Sequence, residues 1–208
     1  MTIVTPTPPD TATAGAAGGA TLQLGGAGSR ARLVAAMLGG YALHAEFADV
    51  TGRLVLDEFG APESVAVRIG AGSVTSGDVR RDRHLRSATF LDVDRHPHVC
   101  FWSRRLEPAG ANRWRVHGDL HIRDVARPVV LDVAYDGDDC HATVRVRGQV
   151  DRRDFGLVLN RTMERAFGVG TDLTLQAEVP AVGRGDDPVA SPCPAPAPAT
   201  VAPPALAA

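Results

Sequence analysis

The sequence predicts an all-β fold, an antiparallel sandwich or barrel, for the middle of this 208-residue chain. At least six short segments alternate apolar with polar residues, which is typical of strands that bury one face. Turn-forming sequences such as PAGAN (108–112) and DGDDC (136–140) lie between segments, as they do in hairpins. The composition is 44% hydrophobic but only 5% aromatic, so we expect a core built mainly from Val, Leu and Ala.

Six segments carry the strand prediction, and each places its apolar or small residues at every second position. In chain order these positions are Val65, Val67 and Ile69; Val99, Phe101 and Ser103; Val116, Gly118, Leu120 and Ile122; Val129, Leu131, Val133 and Tyr135; Val144, Val146, Gly148 and Val150; and Leu173, Leu175, Ala177 and Val179. The residues between them are polar or charged in several segments, such as Arg115, His117 and Asp119. The alternation predicts a Val/Leu interior, in which Gly118 and Gly148 mark a bend or a close approach of two chains.

Two stretches do not alternate. In residues 30–44 (RARLVAAMLGGYALH), strand and helix both stay open for 30–38 because propensity does not decide between them. Residues 78–91 (DVRRDRHLRSATFL) have helix-forming content, and either Asp78 or Ser76 is a suitable N-cap. We therefore expect one or two short helical connections between the strands.

Pro, Ala, Thr and Gly are abundant at both ends of the chain. Residues 1–19 and 181–208 lack the periodic apolar residues that offset the entropy of ordering. We therefore expect a disordered N-terminal segment and a disordered Pro/Ala-rich tail around a folded domain at 20–180. The N-terminus has no Lys or Arg and no continuous apolar stretch. We therefore expect no secretory signal and a cytoplasmic location. No stretch reaches the ~18 apolar residues of a membrane helix, and a net charge of −2 argues against a general nucleic-acid surface.

The histidines and cysteines do not predict a metal site. Pro97 interrupts the pair His96 and His98, whereas His117 and His121 lie on the charged, outward face of their strand. A structural zinc site needs four converging ligands. The cysteines form no C-x-x-C motif, so neither a zinc knuckle nor a disulfide framework is predicted. These cysteines are Cys100, Cys140 and Cys193. Nucleophile-elbow, P-loop and dinucleotide-binding motifs are absent from the sequence, so no catalytic residue is predicted.

The basic run DVRRDRHLRSATFLDV (78–93) allows two interpretations. In the structural one, Asp82 and Arg86 stand at i and i+4 of a helix and form a local ion pair. In the functional one, Arg81, His84 or Arg86 lies at a cavity mouth and binds a carbonyl, carboxylate or phosphate, for which a guanidinium is well suited. Spacing alone favours the structural interpretation.

Three separated motifs between about residues 20 and 180 carry a family resemblance. They are the basic run with the strand after it, VHGDLHIRDVARPVVLDV (116–133) and DRRDFGL (151–157). Together they resemble the hallmarks of the YceI-like family of lipid-binding, or polyisoprenoid-binding, proteins. The matching positions are Arg81, Asp82, His84, Leu85, Arg86, Ser87, Phe90, Leu91, Asp92, Pro97, Phe101 and Ser103; Gly118, Leu120, Ile122, Val125, Pro128, Val129 and Leu131; and Arg153, Asp154, Phe155, Gly156 and Leu157.

The resemblance implies an eight-stranded antiparallel, lipocalin-like barrel that holds a long isoprenoid or fatty-acyl chain, without catalysis, metal or cofactor. The ligand-binding residues expected from it and from the strand pattern are Val65, Val67, Phe90, Phe101, Leu120, Leu131, Val133, Val146, Leu175, Arg81, His84 and Arg86. The chain departs from the family where Met37 precedes Leu38-Gly39 in place of His, and where Ala45 stands in place of a Gly before Phe47. Because a polar contact near the mouth is thereby lost, the lipid tail is better specified than its head group.

Two alternatives from other classes stay open. The first is an interaction or stress-response module whose barrel is filled by its own side chains, and the second is an isomerase or hydrolase that uses His84 with Asp82. An elongated internal cavity favours the lipid carrier, a solid core favours the interaction module, and the enzyme requires His84 to face the cavity. The sequence leaves the lipid, its donors and acceptors, and the oligomeric state open, a homodimer included.

Overall fold

The computed structural model describes residues 20–137, 141–157 and 168–183. Eleven strand segments form one antiparallel sheet, with a single α-helix and three 3-10 turns among these residues. The segments are β1 (Thr21–Gly25), β2 (Arg30–Ala36), β3 (Ala42–Phe47), β4 (Val50–Leu56), β5 (Pro62–Gly70), β6 (Val74–Thr75), β7 (His98–Gly110), β8 (Arg113–Ile122), β9 (Val125–Gly137), β10 (His141–Asp151) and β11 (Asp172–Gly183). The helix is α1 (Val79–Arg86), and the 3-10 turns are Leu38–Gly40, Ala71–Ser73 and Arg152–Phe155.

Eight strands close into a barrel. The ring runs β1, β4, β5, β7, β8, β9, β10 and β11, and β11 pairs with β1 to close it. The segments β1 and β2 are two parts of one long strand with a short interruption, and so are β3 and β4. These two long strands pair with each other as one hairpin, β1 with β4 and β2 with β3. Because β11 pairs with β1 through one half and with β2 through the other, closure leaves few unpaired edges. The prediction of an eight-stranded antiparallel barrel is confirmed.

The inward face of the strands follows the predicted alternation. Val99 and Phe101 of β7 face the interior together with Leu120 of β8 and Leu131 of β9, whereas their neighbours in the sequence face outward. A one-residue change of register would reverse this pattern, so the apolar phase of the sequence fixes the register of the ring.

Two inward-facing glycines make room for large side chains. A Cβ on Gly118 would lie 2.5 Å from the Phe101 ring and 2.2 Å from the Trp102 carbonyl oxygen. A Cβ on Gly148 would lie 2.4 Å from a methyl carbon of Leu131. Both positions are therefore close approaches, as the sequence indicated, and Gly118 cannot be replaced without a shift of the backbone.

Several expectations about individual segments are settled by the structure. The open stretch 30–38 is a strand over Arg30–Ala36 followed by a 3-10 turn at Leu38–Gly40. The folded part extends to Gly183, three residues beyond the expected boundary at 180. Of the segments expected to be disordered, 1–19 and 181–208, the residues 181–183 belong to β11, and the rest lies outside the described residues.

The cysteine pattern was misleading at one position. Cys100, which is buried in β7, is disulfide-bonded, so the expectation that no disulfide forms is wrong for this residue. Cys140 and Cys193 both lie outside the described residues.

Candidate functional site

An apolar cavity of about 150 Å³ lies inside the barrel. Every strand except β6 contributes to its wall, and so does the segment after α1. Nearly all of the lining side chains are hydrophobic, with Arg32 and Gln176 as the clearest exceptions. Such a cavity suits an apolar ligand, because a narrow space without polar partners does not stabilise water.

The structure brings together all nine apolar residues that were predicted to contact a ligand. Each of them lines the cavity: Val65, Val67, Phe90, Phe101, Leu120, Leu131, Val133, Val146 and Leu175. They come from six different strands and from the connection after α1. Their role in binding a ligand remains a prediction.

The barrel is hollow, because part of its inward face is only half-buried. Val133, Val146 and Leu175 point into the barrel, yet they are only partly buried, whereas Val116 and Leu120 on the same inner surface are buried. Since closed-barrel interiors are normally packed to high density, partly buried inward residues indicate space that the protein's own side chains leave empty.

Other lining residues were missed by the sequence analysis. Trp114 and Tyr135 line the cavity and meet edge to face, with 6.5 Å between their ring centroids. Trp114 lies two positions before Val116, so extending the β8 alternation by one step would have found it. Leu24, Phe47 and Leu54 also line the cavity. They belong to the long hairpin formed by β1 to β4, in which the sequence analysis assigned no strand.

The helix α1 begins where the sequence predicted. The Asp78 carboxylate accepts hydrogen bonds from the backbone N–H groups of Arg80 and Arg81, both at 2.9 Å. The hydrogen bond from the Arg81 N–H is the largest cause that lowers the pKa of Asp78 below its usual value. This is an N-cap, so Asp78 rather than Ser76 starts the helix.

The predicted ion pair between Asp82 and Arg86 is not present. The Asp82 carboxylate instead accepts hydrogen bonds from the Ser76 hydroxyl at 2.5 Å and from Thr75 at 3.1 Å. The Ser76 hydroxyl is the main cause that lowers the pKa of Asp82. The carboxylate therefore ties α1 mainly to the segment before it, and the charge of Arg86 is only a minor cause that lowers the pKa of Asp82.

The three basic residues of the functional interpretation do not line the cavity. Arg81 donates to the Ser76 hydroxyl at 2.8 Å, and Arg86 donates to the backbone carbonyl oxygens of Gly72 at 3.0 Å and Val74 at 2.5 Å. The Nε2 atom of His84 is buried without a hydrogen-bond partner among the described residues, and its ring lies 5.9 Å from that of Phe90. The arginines hold the connection in place, as a structural role of the basic run requires, but through Ser76 and backbone carbonyls and not through the predicted ion pair.

The segment after α1 closes one end of the barrel. Phe90 and Leu91 are buried and line the cavity, and Arg123 in the turn between β8 and β9 donates to the Phe90 carbonyl oxygen at 3.3 Å. The basic run therefore positions an apolar plug over the cavity.

A buried arginine closes the barrel beside this plug. Arg152 is only 3% exposed and donates to the carbonyl oxygens of Gly170 at 3.2 Å and Leu157 at 3.1 Å. These bonds hold Phe155 and Leu157, both fully buried, against the cavity. The sequence analysis singled out the adjacent Arg153, which is exposed, because two neighbouring arginines give no sequence signal of which one points inward.

The exposed neighbour makes a different contact. Arg153 donates to the Asp151 carboxylate at 2.6 Å, and this hydrogen bond is the largest cause that lowers the pKa of Asp151 to about 2. Asp151 also accepts from the Arg153 backbone N–H at 2.8 Å, which caps the 3-10 turn at Arg152–Phe155.

The histidines do not converge. His121 packs edge-on against Trp102, with 4.4 Å between ring centroids, and burial lowers its pKa. His117 contacts Glu107 at 3.3 Å, and His96 lies 3.5 Å from Asp124. Within the described residues, no three His, Cys, Asp or Glu side chains are grouped so that they could hold a metal ion. The same residues include no helix long and apolar enough to cross a membrane.

Comparison with known proteins identifies similar sequences. The family model described as YceI-like domain matches residues 23–181. A UPF0312 protein of Pectobacterium carotovorum is 33% identical over 122 residues, which cover 55% of this chain and 63% of that protein. Protein YceI of Shigella flexneri is 32% identical with the same coverage. The chain thus spans somewhat less than two thirds of the length of these relatives.

Two solved structures show the same fold at low sequence identity. BcnA of Burkholderia cenocepacia superposes with a TM-score of 0.66 at 19% identity, over 74% of this chain and 96% of BcnA. A polyisoprenoid binding domain from Saccharophagus degradans, described as implicated in plant cell wall breakdown, superposes with a TM-score of 0.60 at 13% identity, over 79% of this chain and 99% of that domain. These similarities establish the barrel architecture.

Proposed function

The chain belongs to the YceI-like domain family, and from this premise we propose that it binds one long-chain amphiphilic lipid, of polyisoprenoid or fatty-acyl type, non-covalently inside the barrel. The observation that carries the proposal is the cavity inside the barrel, called the lumen from here on, whose wall is almost entirely apolar. The polyisoprenoid binding described for the structural relative from Saccharophagus degradans supports an isoprenoid as one of the candidate chains.

The energetics of the lumen favour a long chain. Each buried methylene contributes about 0.8 kcal/mol, and a cavity of about 150 Å³ holds roughly the six carbons of a benzene-sized ligand. The part of the chain inside it therefore contributes about 5 kcal/mol before the costs of association. One charge-assisted hydrogen bond contributes about 1.5–3 kcal/mol. The chain, rather than the head group, is therefore expected to set the affinity.

The two alternatives receive less support from the geometry. Half-buried inward residues such as Val133 and Val146 argue against a barrel filled by its own side chains. Enzymatic use of His84 with Asp82 lacks the necessary arrangement, because His84 is not part of the cavity wall and Asp82 is engaged by Ser76 and Thr75. We therefore propose binding and transport of the lipid without chemical change.

A chain-length series tests this function. Fatty acids and prenols of increasing length are titrated against delipidated protein that holds a fluorescent lipid, and displacement is measured. Affinity is expected to rise with chain length until the lumen is full and then to level off. Affinity that does not depend on chain length, or no displacement by any chain, would contradict the proposal.

A further inference from the structure

The barrel wall is split on one side. Strands β9 and β10 are paired from Gly137 and Ala142 only as far as Leu131 and Gly148. Beyond this point residues 125–130 of β9 pair with β8 alone, while residues 149–151 of β10 pair with β11. Pro128 lies in the part of β9 that does not pair with β10, and a proline has no backbone N–H to donate to a neighbouring strand. The two strands therefore diverge near the closed end of the barrel.

A groove of about 870 Å³ lies on the outer surface over this split. Its floor contains Val150 and Phe155, and both of these residues also line the lumen. The side chains of Val150 and Phe155 therefore border both the lumen and the groove.

Two arginines on the groove have no carboxylate partner among the described residues. Arg127 donates only to the carbonyl oxygen of the adjacent Ala126, at 3.2 Å, and Arg147 is exposed on β10 without an ion pair in the described part of the chain. A third arginine of the groove, Arg104, is already paired with Asp119 at 2.5 Å. Arg127 and Arg147 are the two whose charge is available to a ligand.

Two of the three carboxylates in the groove are paired with arginines outside it. Asp151 binds Arg153 at 2.6 Å, and Asp132 lies 3.8 Å from Arg115. Asp154 lies close enough to Arg153 to help raise the pKa of that guanidinium. One guanidinium cannot offset both Asp151 and Asp154, so one negative charge remains against the two unpaired arginines, Arg127 and Arg147. The groove keeps a small positive balance, which favours an anionic group.

We propose that this groove holds the anionic head group of the bound amphiphile, a carboxylate or a phosphate, while the chain enters the lumen between β9 and β10, past Val150 and Phe155. The inference rests on the proposed function, because it places the two parts of the same ligand. A guanidinium suits either anion, since its N–H groups form a fork that matches both.

The head-group part is tested with two probes that differ only in charge. A saturated fatty acid and the alcohol of the same chain length are measured by displacement at a pH that keeps the acid ionised. In the variant Arg127→Gln/Arg147→Gln, affinity for the acid is expected to fall about tenfold or more, whereas affinity for the alcohol stays within about twofold. The matched control, Arg30→Gln/Arg53→Gln, removes two exposed charges elsewhere on the barrel and is expected to change neither affinity.

The outcomes separate this inference from the proposed function. If neither probe binds the wild type, the proposed function itself fails. If both probes bind, but the groove variant loses both equally or loses neither, only the head-group site is wrong. Repeating the acid arm with a prenyl phosphate distinguishes a carboxylate from a phosphate as the preferred anion.

The entry route is tested by closing the split. The pair Val130→Cys/Gln149→Cys spans it and is bridged with a short thiol-reactive crosslinker, with bridging followed by mass. Because Val130 and Gln149 also line the groove, the probe is the uncharged alcohol, which does not use the head-group site. Its rates of entry and release are both expected to fall about tenfold or more while its Kd stays within about twofold, because a blocked route changes kinetics and not equilibrium. The control pair Ala134→Cys/Arg145→Cys bridges the same strands where they are already hydrogen-bonded. Unchanged rates in the bridged protein, or in Val130→Trp/Gln149→Trp if no bridge forms, would overturn this route.

Discussion

Filling the lumen with protein side chains provides a direct test of where the lipid lies. Val133 and Val146 are cross-strand neighbours that face each other on β9 and β10, and both are only half-buried because they border the cavity. The double variant Val133→Phe/Val146→Phe places two rings in that space. We expect it to fold and to lose lipid binding.

The magnitude follows from the cavity volume. An unfilled cavity costs about 24 cal/mol per Å³, so a cavity of about 150 Å³ corresponds to roughly 3–4 kcal/mol that occupancy can recover. Imperfect fit of the new rings costs about 1–3 kcal/mol. The free energy of unfolding of the lipid-free double variant is therefore expected to be equal to that of the wild type or up to about 2 kcal/mol higher.

Urea unfolding of delipidated protein measures the stability, and displacement of a fluorescent lipid measures the binding. Val182→Phe, which enlarges an exposed residue of β11, is the control and should leave both unchanged. Lipid affinity at the wild-type level in the double variant would show that the chain lies outside the lumen. A loss of stability greater than about 3 kcal/mol would show that the lumen has no room for the rings.

Four further changes test other parts of the structure. Leu131→Asp should abolish folding or lipid retention, because it buries an unpaired carboxylate in the apolar wall; urea unfolding and displacement measure this. Arg86→Ala should shift the chain-length curve by only a small constant, at low and high salt alike, because Arg86 binds backbone carbonyls outside the cavity wall. Arg152→Met should lower the free energy of unfolding by roughly 2–4 kcal/mol, since it leaves the carbonyl oxygens that Arg152 contacts without their charged donor. Asp151→Asn should lower stability near neutral pH, and the difference from the wild type should disappear as the pH falls from 3.8 through about 2, because the depressed pKa of Asp151 stabilises the folded state only while the group is ionised.

Each of these changes has a result that would contradict its reasoning. A stable, lipid-loaded Leu131→Asp protein would place that residue outside. Affinity that collapses with salt or in Arg86→Ala would make the basic run the binding surface. Wild-type stability of Arg152→Met would mean that its hydrogen bonds are replaced by water, and a pH-independent effect of Asp151→Asn would exclude ionisation as its cause.

The alternation of apolar residues was sufficient to predict an antiparallel sandwich or barrel and most of its inner wall, whereas the eight-stranded barrel was implied by the family resemblance. In β8 and β9 a period of two is maintained over the whole strand, so residues such as Leu120 and Leu131 could be assigned to one face without knowledge of their neighbours. The first hairpin was less predictable, because β1 has only five residues and 30–38 also satisfies a helical pattern. Leu24, in the short β1, was missed for that reason, whereas Leu54 was missed because no strand was predicted over β4.

The polar contacts were much less predictable. Arg86 binds carbonyl oxygens 12 and 14 residues away in the sequence, and backbone acceptors leave no mark on residue identity. The sequence therefore suggested the nearest acid, Asp82, as its partner. The choice between Arg152 and Arg153 had the same difficulty, since only the path of the chain after β10 determines which guanidinium is buried.

The hollow lumen also makes the molar volume of the protein depend on occupancy. A void of about 150 Å³ per molecule is equivalent to about 90 mL/mol, near the upper end of the volume decreases that accompany unfolding. Hydrostatic pressure favours the state of smaller volume, so it acts most strongly on a barrel whose void is empty. Once a lipid chain occupies the void, less volume is left to eliminate, and the loaded protein should withstand pressures at which the empty one unfolds.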